Sequence, residues 1–200
     1  RLPKSYGYDP LRDIQVITPA KQGPLGTREL NRLLQGKLNP PERGKGEATL
    51  MGRTLREGDK VMQIRNNYDI IWQQPDGTAG TGIFNGDMGI IEMLDPGSKT
   101  IQVRFEEKLA TYSFENQDQL EHAYAVTVHK SQGSEYNKVY IILPDKPQSL
   151  LTRNMVNTAI SRARQDVTLI VIGDALKLAA SNRFKRYRIT RLKEKIINMG

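Results

Sequence analysis

The 200-residue sequence has no cysteine, two histidines and one tryptophan. Without cysteine there is neither a disulfide nor a thiolate metal site, and two histidines argue against a zinc centre. No apolar run approaches the roughly 18–20 residues that span a bilayer, and no signal-peptide pattern opens the chain. A cytoplasmic protein with no membrane partner is the plain reading. The loop G-x-x-x-x-G-K-[S/T] that cradles a triphosphate is also missing: Gly36-Lys37 is followed by Leu38, and Gly44-Lys45 by Gly46. Nor is there an adjacent Asp-Glu pair of the Walker B kind. The chain begins at Arg1 rather than Met, which is expected of a piece of a longer protein.

What is present is an ordinary globular balance, 38% hydrophobic and 26% charged, which speaks against disorder. The formal charge of +8 invites a nucleic-acid reading. Its distribution tempers that. Residues 181–200 hold seven basic side chains and one acid, a net +6, which leaves +2 for the preceding 180 residues. A long electrostatic groove is therefore not evident from charge alone.

Ile14–Ile17 reads as a buried strand stopped by Pro19, and Thr27 is placed to N-cap a helix running to Leu38 with Leu30, Leu33 and Leu34 as its apolar stripe. Residues 42–48, polar and glycine-containing, are expected to form a mobile loop. From about residue 50 to 119 the pattern changes to short strand-like runs ("GDKVMQIRN", "GDMGIIEML", "KTIQVRF", "ATYSF") separated by Gly, Asp and Pro, as in a small antiparallel barrel or sandwich. Strand and helix periods then alternate again: strands at Ala123–Val128, Val139–Leu143 and Val167–Ile172, helices at Leu150–Arg164 and Ala175–Ser181. The expectation is one α/β domain, residues 1–49 and 120–200, interrupted by a β insertion at 50–119.

Two stretches carry chemistry. In "TVHKSQGSEY" a strand ends at Val128, His129, Lys130 and Ser131 are donors of the kind that hold a phosphodiester, and Gly133 lets the backbone approach a ligand. Glu135 is an acceptor suited to a ribose hydroxyl. The alternative is a solvated polar loop. In "LLTRNMVNTAISRARQ" Met155, Val156, Ala159, Ile160 and Ala163 cluster on one helical face, with Arg162 and Arg164 at its borders. Arg162 is suited to bidentate contact with phosphoryl charge, or is a surface arginine lying over the helix. Tyr68, Trp72 and Phe84 are suited to stack on bases or to form the core of a small domain. Phe184, Leu192 and Ile196 in the basic tail suit a closing helix or an attraction for phosphates.

The stretch "AYAVTVHKSQGSEY" resembles motif V of superfamily 1 DNA helicases and "NTAISRAR" resembles motif VI. "GDKVMQIRNNYD" followed by "FNGDMG" is similar to the SH3-like insertion of RecD-type helicases, and "IQVITPAKQGPLGTRELNRLLQGKLNP" to their motif IV region. Together these cover most of residues 14–174 in the family's order. The resemblance implies the second RecA-like motor domain of a RecD-type helicase, a P-loop NTPase-type parallel sheet with a small SH3-like barrel inserted. By position it implies that Thr127, His129, Lys130 and Ser131 meet single-stranded DNA. Gly133, Glu135, Lys21 and Arg28 would face the nucleotide, with Arg162 at the γ-phosphate. ATP and Mg²⁺ would be held mainly by an N-terminal RecA-like domain of the same protein, and translocation would run 5′ to 3′, in repair or recombination. Two positions depart from the family: Asn157 where it often has Tyr, and Lys21-Gln22 where it usually has Arg before the glycine at Gly23, a loss that Arg28 would offset. The rival classes are an SH3-like adaptor for a protein partner, which has no need of Arg162, and a single-strand binder without motor function.

Overall fold

Ile14–Thr18 (β1) is covered on both faces, the burial expected of a central parallel strand. The structure is a computed structural model that describes residues 7–182. In it β1 lies in a four-stranded sheet with Ala125–Thr127 (β11), Tyr136–Leu143 (β12) and Ala163–Val171 (β13), ordered β11-β1-β12-β13. Every pairing is parallel. Alternate residues face opposite sides. Val16, Ala125 and Ile142 meet Leu30 and Leu34 of helix Thr27–Leu38 (α1). Ile17, Val126 and Ile141 share a core with Val156 and Ala159 of Arg153–Ile160 (α2), and with Ala175 and Ala179 of Ala175–Ser181 (α3).

Between α1 and β11 the chain forms a hairpin, Glu47–Leu50 (β2) with Arg53–Arg56 (β3), and then seven further strands. These are Lys60–Gln63 (β4), Asn67–Gln73 (β5), Ala79–Ile83 (β6), Met88–Asp95 (β7), Thr100–Phe105 (β8), Lys108–Ser113 (β9) and Leu120–His122 (β10). They pair antiparallel in the order β10-β4-β7-β8-β9-β5-β6 around a separate core that includes Val61, Ile91, Ile101, Val103 and Tyr112.

Several expectations shift. Residues 42–48 run into a strand, since β2 begins at Glu47. Thr27 is the buried first residue of α1 rather than its cap, and the N-cap is Gly26. A Cβ there would sit 2.5 Å from the Gln22 carbonyl oxygen, so the turn that folds back on the helix start needs glycine. Leu33 is exposed, and the buried face of α1 is completed by Asn31 and Gln35. The helix expected at Leu150–Arg164 spans only Arg153–Ile160, capped by the Thr152 hydroxyl, which accepts from Met155 N. Ala163 and Arg164 belong instead to β13, because pairing with β12 from Tyr136 onward outweighs local helical preference. The basic-tail residues Phe184, Leu192 and Ile196 lie outside the described residues.

The two sheets are joined through a buried carboxylate. Asp59, between β3 and β4, is fully buried and receives five donors. Gln35 Nε2 donates at 2.7 Å, Asn39 Nδ2 at 2.6 Å, Tyr124 Oη at 2.8 Å, the Arg56 amide at 2.8 Å and His122 Nε2 at 3.1 Å. Burial alone would raise its pKa, but the hydrogen bonds and charge from His122, with those from Asn39 and Tyr124, hold it below the ordinary carboxylate value. α1, the β3–β4 turn and the strands returning to the parallel sheet are thus pinned to one point.

Candidate functional site

β11 and β12 are parallel and both flank β1, so residues 128–135 must return from one end of the sheet to the other. Thr127 pairs with Thr18 at the C-terminal end, and Tyr136 pairs with Ala163 at the N-terminal end. The return is made as linked tight turns. Ser131 N donates to Thr127 O at 3.0 Å, Lys130 N to the Thr127 hydroxyl at 3.2 Å, and Ser134 N to Ser131 O at 3.2 Å. Ser131 is wholly buried and its hydroxyl donates to Val128 O at 2.9 Å, so it holds the turn rather than facing a ligand. Gly133 has φ 88° with open space where a Cβ would lie, so it is there for the left-handed backbone.

Two cations stand along this segment. The Lys130 ammonium donates to Asn85 Oδ1 at 2.7 Å, in the turn between β6 and β7, while His129 beside it is exposed. At the far end Arg162, half-buried in the turn between α2 and β13, donates from Nη1 to Ser134 O at 3.2 Å, from Nη2 to the Ser161 hydroxyl at 3.0 Å and from Nε to Thr158 O at 3.3 Å. Its carbonyl accepts from Tyr136 N at 2.9 Å. A guanidinium has five N–H donors, so one remains on each terminal nitrogen, the geometry that suits a phosphoryl group. Glu135 next to it is exposed and paired with Arg164 at 3.0 Å. Burial pushes the neighbouring Tyr136 phenol up to about 12, so it stays neutral beside the arginine.

The structure therefore brings Gly133, Glu135 and Arg162 together and links them by one short segment to Thr127, His129 and Lys130. It does not bring Lys21 and Arg28 to them. Those two follow the C-terminal end of β1, at the opposite end of the parallel strands from Arg162, where they line an open groove of ≈ 1140 Å³ along α1 with Arg53 and His122. Lys21 there pairs with Glu121 at 3.1 Å. Among the described residues the five therefore divide between the two ends of the parallel strands. One participant escaped the sequence reading, Asn85, which receives Lys130; Arg164, read there as an arginine at the border of a helical face, lies in a strand that puts it on Glu135. The Asn85-Gly86 pair is a turn signal, but nothing local tells where its side chain points.

Residues 30–105 match the family model described as the SH3 domain of ATP-dependent RecD-like DNA helicases, and residues 122–170 match the UvrD-like helicase C-terminal domain. The ATP-dependent RecD2 DNA helicase of Deinococcus radiodurans is 33% identical over 92% of this chain. The chain is RecD-like across both matched regions. It spans 23% of that relative's length. It also spans 30% of the RecBCD enzyme subunit RecD of Mycolicibacterium smegmatis, which is 26% identical over 95% of the chain. The fold is shared with Bacteroides Pif1 bound to single-stranded DNA, at a TM-score of 0.51 and 17% identity over 94% of this chain and 44% of that one. A second Pif1 structure, concerned with unwinding of forked duplex DNA, gives 0.53 and 18% over 96% and 43%.

Proposed function

We propose that this RecD-like chain is the second motor domain of an ATP-dependent DNA helicase, with RecA-like parts at 1–49 and 120–200 and an SH3-like barrel inserted at 50–119. In this reading the protein works in the cytoplasm, in DNA repair or recombination, and moves 5′ to 3′ on single-stranded DNA. The carrying observation is the 128–135 segment, anchored at Ser134 by Arg162 and bearing Lys130 and His129 a few residues before.

The residues fit half of a nucleotide site. Arg162 retains two N–H donors for phosphoryl oxygens, and Glu135 can exchange Arg164 for a ribose hydroxyl. Among the described residues no cluster of three or more His, Asp or Glu side chains is placed to hold a metal ion. Mg²⁺ and the triphosphate loop would come from a first RecA-like domain of the same protein. ATP supplies the free energy of the cycle through hydrolysis. This chain's part is to bring Arg162 to the developing phosphoryl charge as the two domains close. Because Arg162 is bonded to the loop that carries Lys130, a displacement of one shifts the other. That gives the strand a different affinity in the open and closed states, which is what coupling requires. Thr127 and Ser131 act by holding the turn, and Lys130 and His129 act on the strand.

The two ends of the segment should fail differently in the intact protein. Lys130→Ala should weaken single-strand binding and lower its salt dependence, by a slope of at most about 0.7 for the one phosphate no longer neutralised. Glu135→Ala should raise the KM for ATP and leave nucleotide-free DNA affinity nearly unchanged. Anisotropy of a labelled oligonucleotide at several salt concentrations, paired with ATPase titrations, separates them. Equal, small effects at both positions would mean that the segment is only a solvated loop.

A further inference from the structure

The three aromatic residues of the β5–β6 region do not share one environment. Trp72 packs into the second core, with Gly80 against its ring and the Lys108 ammonium 4.8 Å from the ring centroid. Tyr68 and Phe84 are 66% and 41% exposed and touch each other edge to face, with centroids 5.6 Å apart at 72°. Two exposed rings in contact contribute little to a core. Their arrangement is nevertheless specified. The pairing of β5 with β6 is irregular between Asn67↔Ile83 and Ile71↔Thr81, which brings Tyr68 beside Phe84. The Phe84 ring lies over Gly82, 3.2 Å from where a Cβ would stand, so the absence of a side chain there makes its seat.

The turn that carries Phe84 is fixed from both sides. Asp87 Oδ2 accepts from Phe84 N at 2.8 Å, and Asn66 Oδ1 accepts from Asn85 N at 2.9 Å. Asn85, the next residue, receives the Lys130 ammonium. The aromatic pair is therefore one residue from the contact that seats the candidate strand-binding lysine. A phosphate-binding cation beside exposed, preoriented rings is how proteins hold single strands without reading sequence: charge takes the backbone and rings take the bases.

We propose that Tyr68 and Phe84 form a base-stacking platform that extends the strand site from Lys130 onto the SH3-like region. The ligand is single-stranded nucleic acid, with at least one base stacked on the pair irrespective of its identity. This rests on the reading that His129 and Lys130 hold the strand, and the test keeps the two apart. In the intact protein, binding of fluorescein-labelled oligothymidylate is measured by anisotropy over a salt series for Tyr68→Ala/Phe84→Ala, for Tyr68→Phe and for Lys130→Ala. A second series uses the same oligonucleotide with two adjacent abasic positions moved along it.

The double alanine variant should bind about tenfold more weakly, the scale of base–aromatic stacking, with an unchanged salt slope because the same phosphates stay neutralised. Tyr68→Phe should bind as the parent does. The abasic position that weakens the parent should cost the double variant nothing further. Wild-type affinity in the double variant, with Lys130→Ala weakened, would overturn the platform and leave the strand site standing. Wild-type affinity in both would overturn the strand site as well. A loss in the double variant at every abasic position alike, or one matched by Tyr68→Phe, would mean altered packing rather than stacking and would also overturn the platform.

Discussion

Asp59 and Arg162 are both charged groups drawn out of water, and they are furnished in opposite ways. Asp59 is fully buried and meets five donors from three separate stretches of chain. Arg162 is half-buried and gives three of its five donors to nearby oxygens, keeping two. A saturated charge has nothing left for a ligand and serves to hold elements in place. A charge with spare donors, held by its own neighbours, is preorganised for a partner that is not yet there. In the proposed reading, unused hydrogen-bonding capacity on a fixed scaffold marks Arg162 as the working group and Asp59 as the structural one, although both are charged and both are partly hidden.

The sharpest way to break this contrast is to remove each group and ask what fails. Arg162→Ala in the intact protein should cut DNA-stimulated ATP turnover by about 10³–10⁵, the range for an arginine acting on transition-state charge. Strand affinity and unfolding midpoint should hardly move. Phosphate release under saturating ATP and oligonucleotide measures the first, and normal turnover would make Arg162 a surface arginine. Asp59→Ala should do the reverse to this chain. Stranding the buried Tyr124, Gln35 and Asn39 donors and the partly buried His122 should cost about 3–5 kcal/mol of stability, read as a lowered urea midpoint. The pH dependence has a definite sign. The folded pKa of Asp59 lies below its unfolded value, so its contribution is present above about pH 4, the unfolded carboxylate value, and is lost as pH falls through the folded one. The alanine variant should lack that acid-side loss.

The same contrast explains what the sequence disclosed. The strands at 14–18 and 136–143 were legible because a central parallel strand must be apolar along its length, and Val139 to Leu143 is nearly unbroken. The exposed turn with His129 and Lys130 was legible because a polar run between two such strands has few structural excuses. The Asp59 junction was not. Its partners are single polar residues at positions 35, 39, 56, 122 and 124, each unremarkable in its own surroundings. The placement of Lys21 and Arg28 relative to Glu135 was not legible either, for a related reason. Motif order along the chain does not say at which end of a parallel strand a residue falls, and only the register of β1 with β11 and of β12 with β13 separates them. Arg164 was misplaced because "SRARQ" has helical preference, which strand pairing with β12 overrides.

A smaller effect sharpens the comparison from within the junction itself, because Lys60 is a buried charge with neither a saturated shell nor a ligand's freedom. It is 5% exposed, its ammonium donates to Ile14 O at 3.2 Å, and it stands 5.8 Å from the centre of the Tyr136 ring. Burial lowers its pKa to about 8, with Asp9 and Asp13 opposing the shift. An unfolded lysine titrates near ~10.4. Between these values the unfolded chain binds a proton that the folded chain does not, so stability rises with pH across that window. Below pH 8 both states are protonated and the folded state bears the whole cost of the buried ammonium, up to about 3 kcal/mol at roughly 1.4 kcal/mol per unit. Lys60→Met keeps much of the stem and removes the charge. It should be the more stable protein at pH 7, and the difference should shrink as pH rises from 8 toward 10. Above about pH 10 the buried tyrosines interfere, because unfolded phenols ionise first while Tyr136 is held to about 12, so the comparison belongs below that point. Urea midpoints for the two proteins at half-unit steps from pH 7 to 10 provide the measurement. Parallel curves would show that Lys60 carries no such cost, and that its hydrogen bond to Ile14 and its place over Tyr136 suffice to keep a buried ammonium charged.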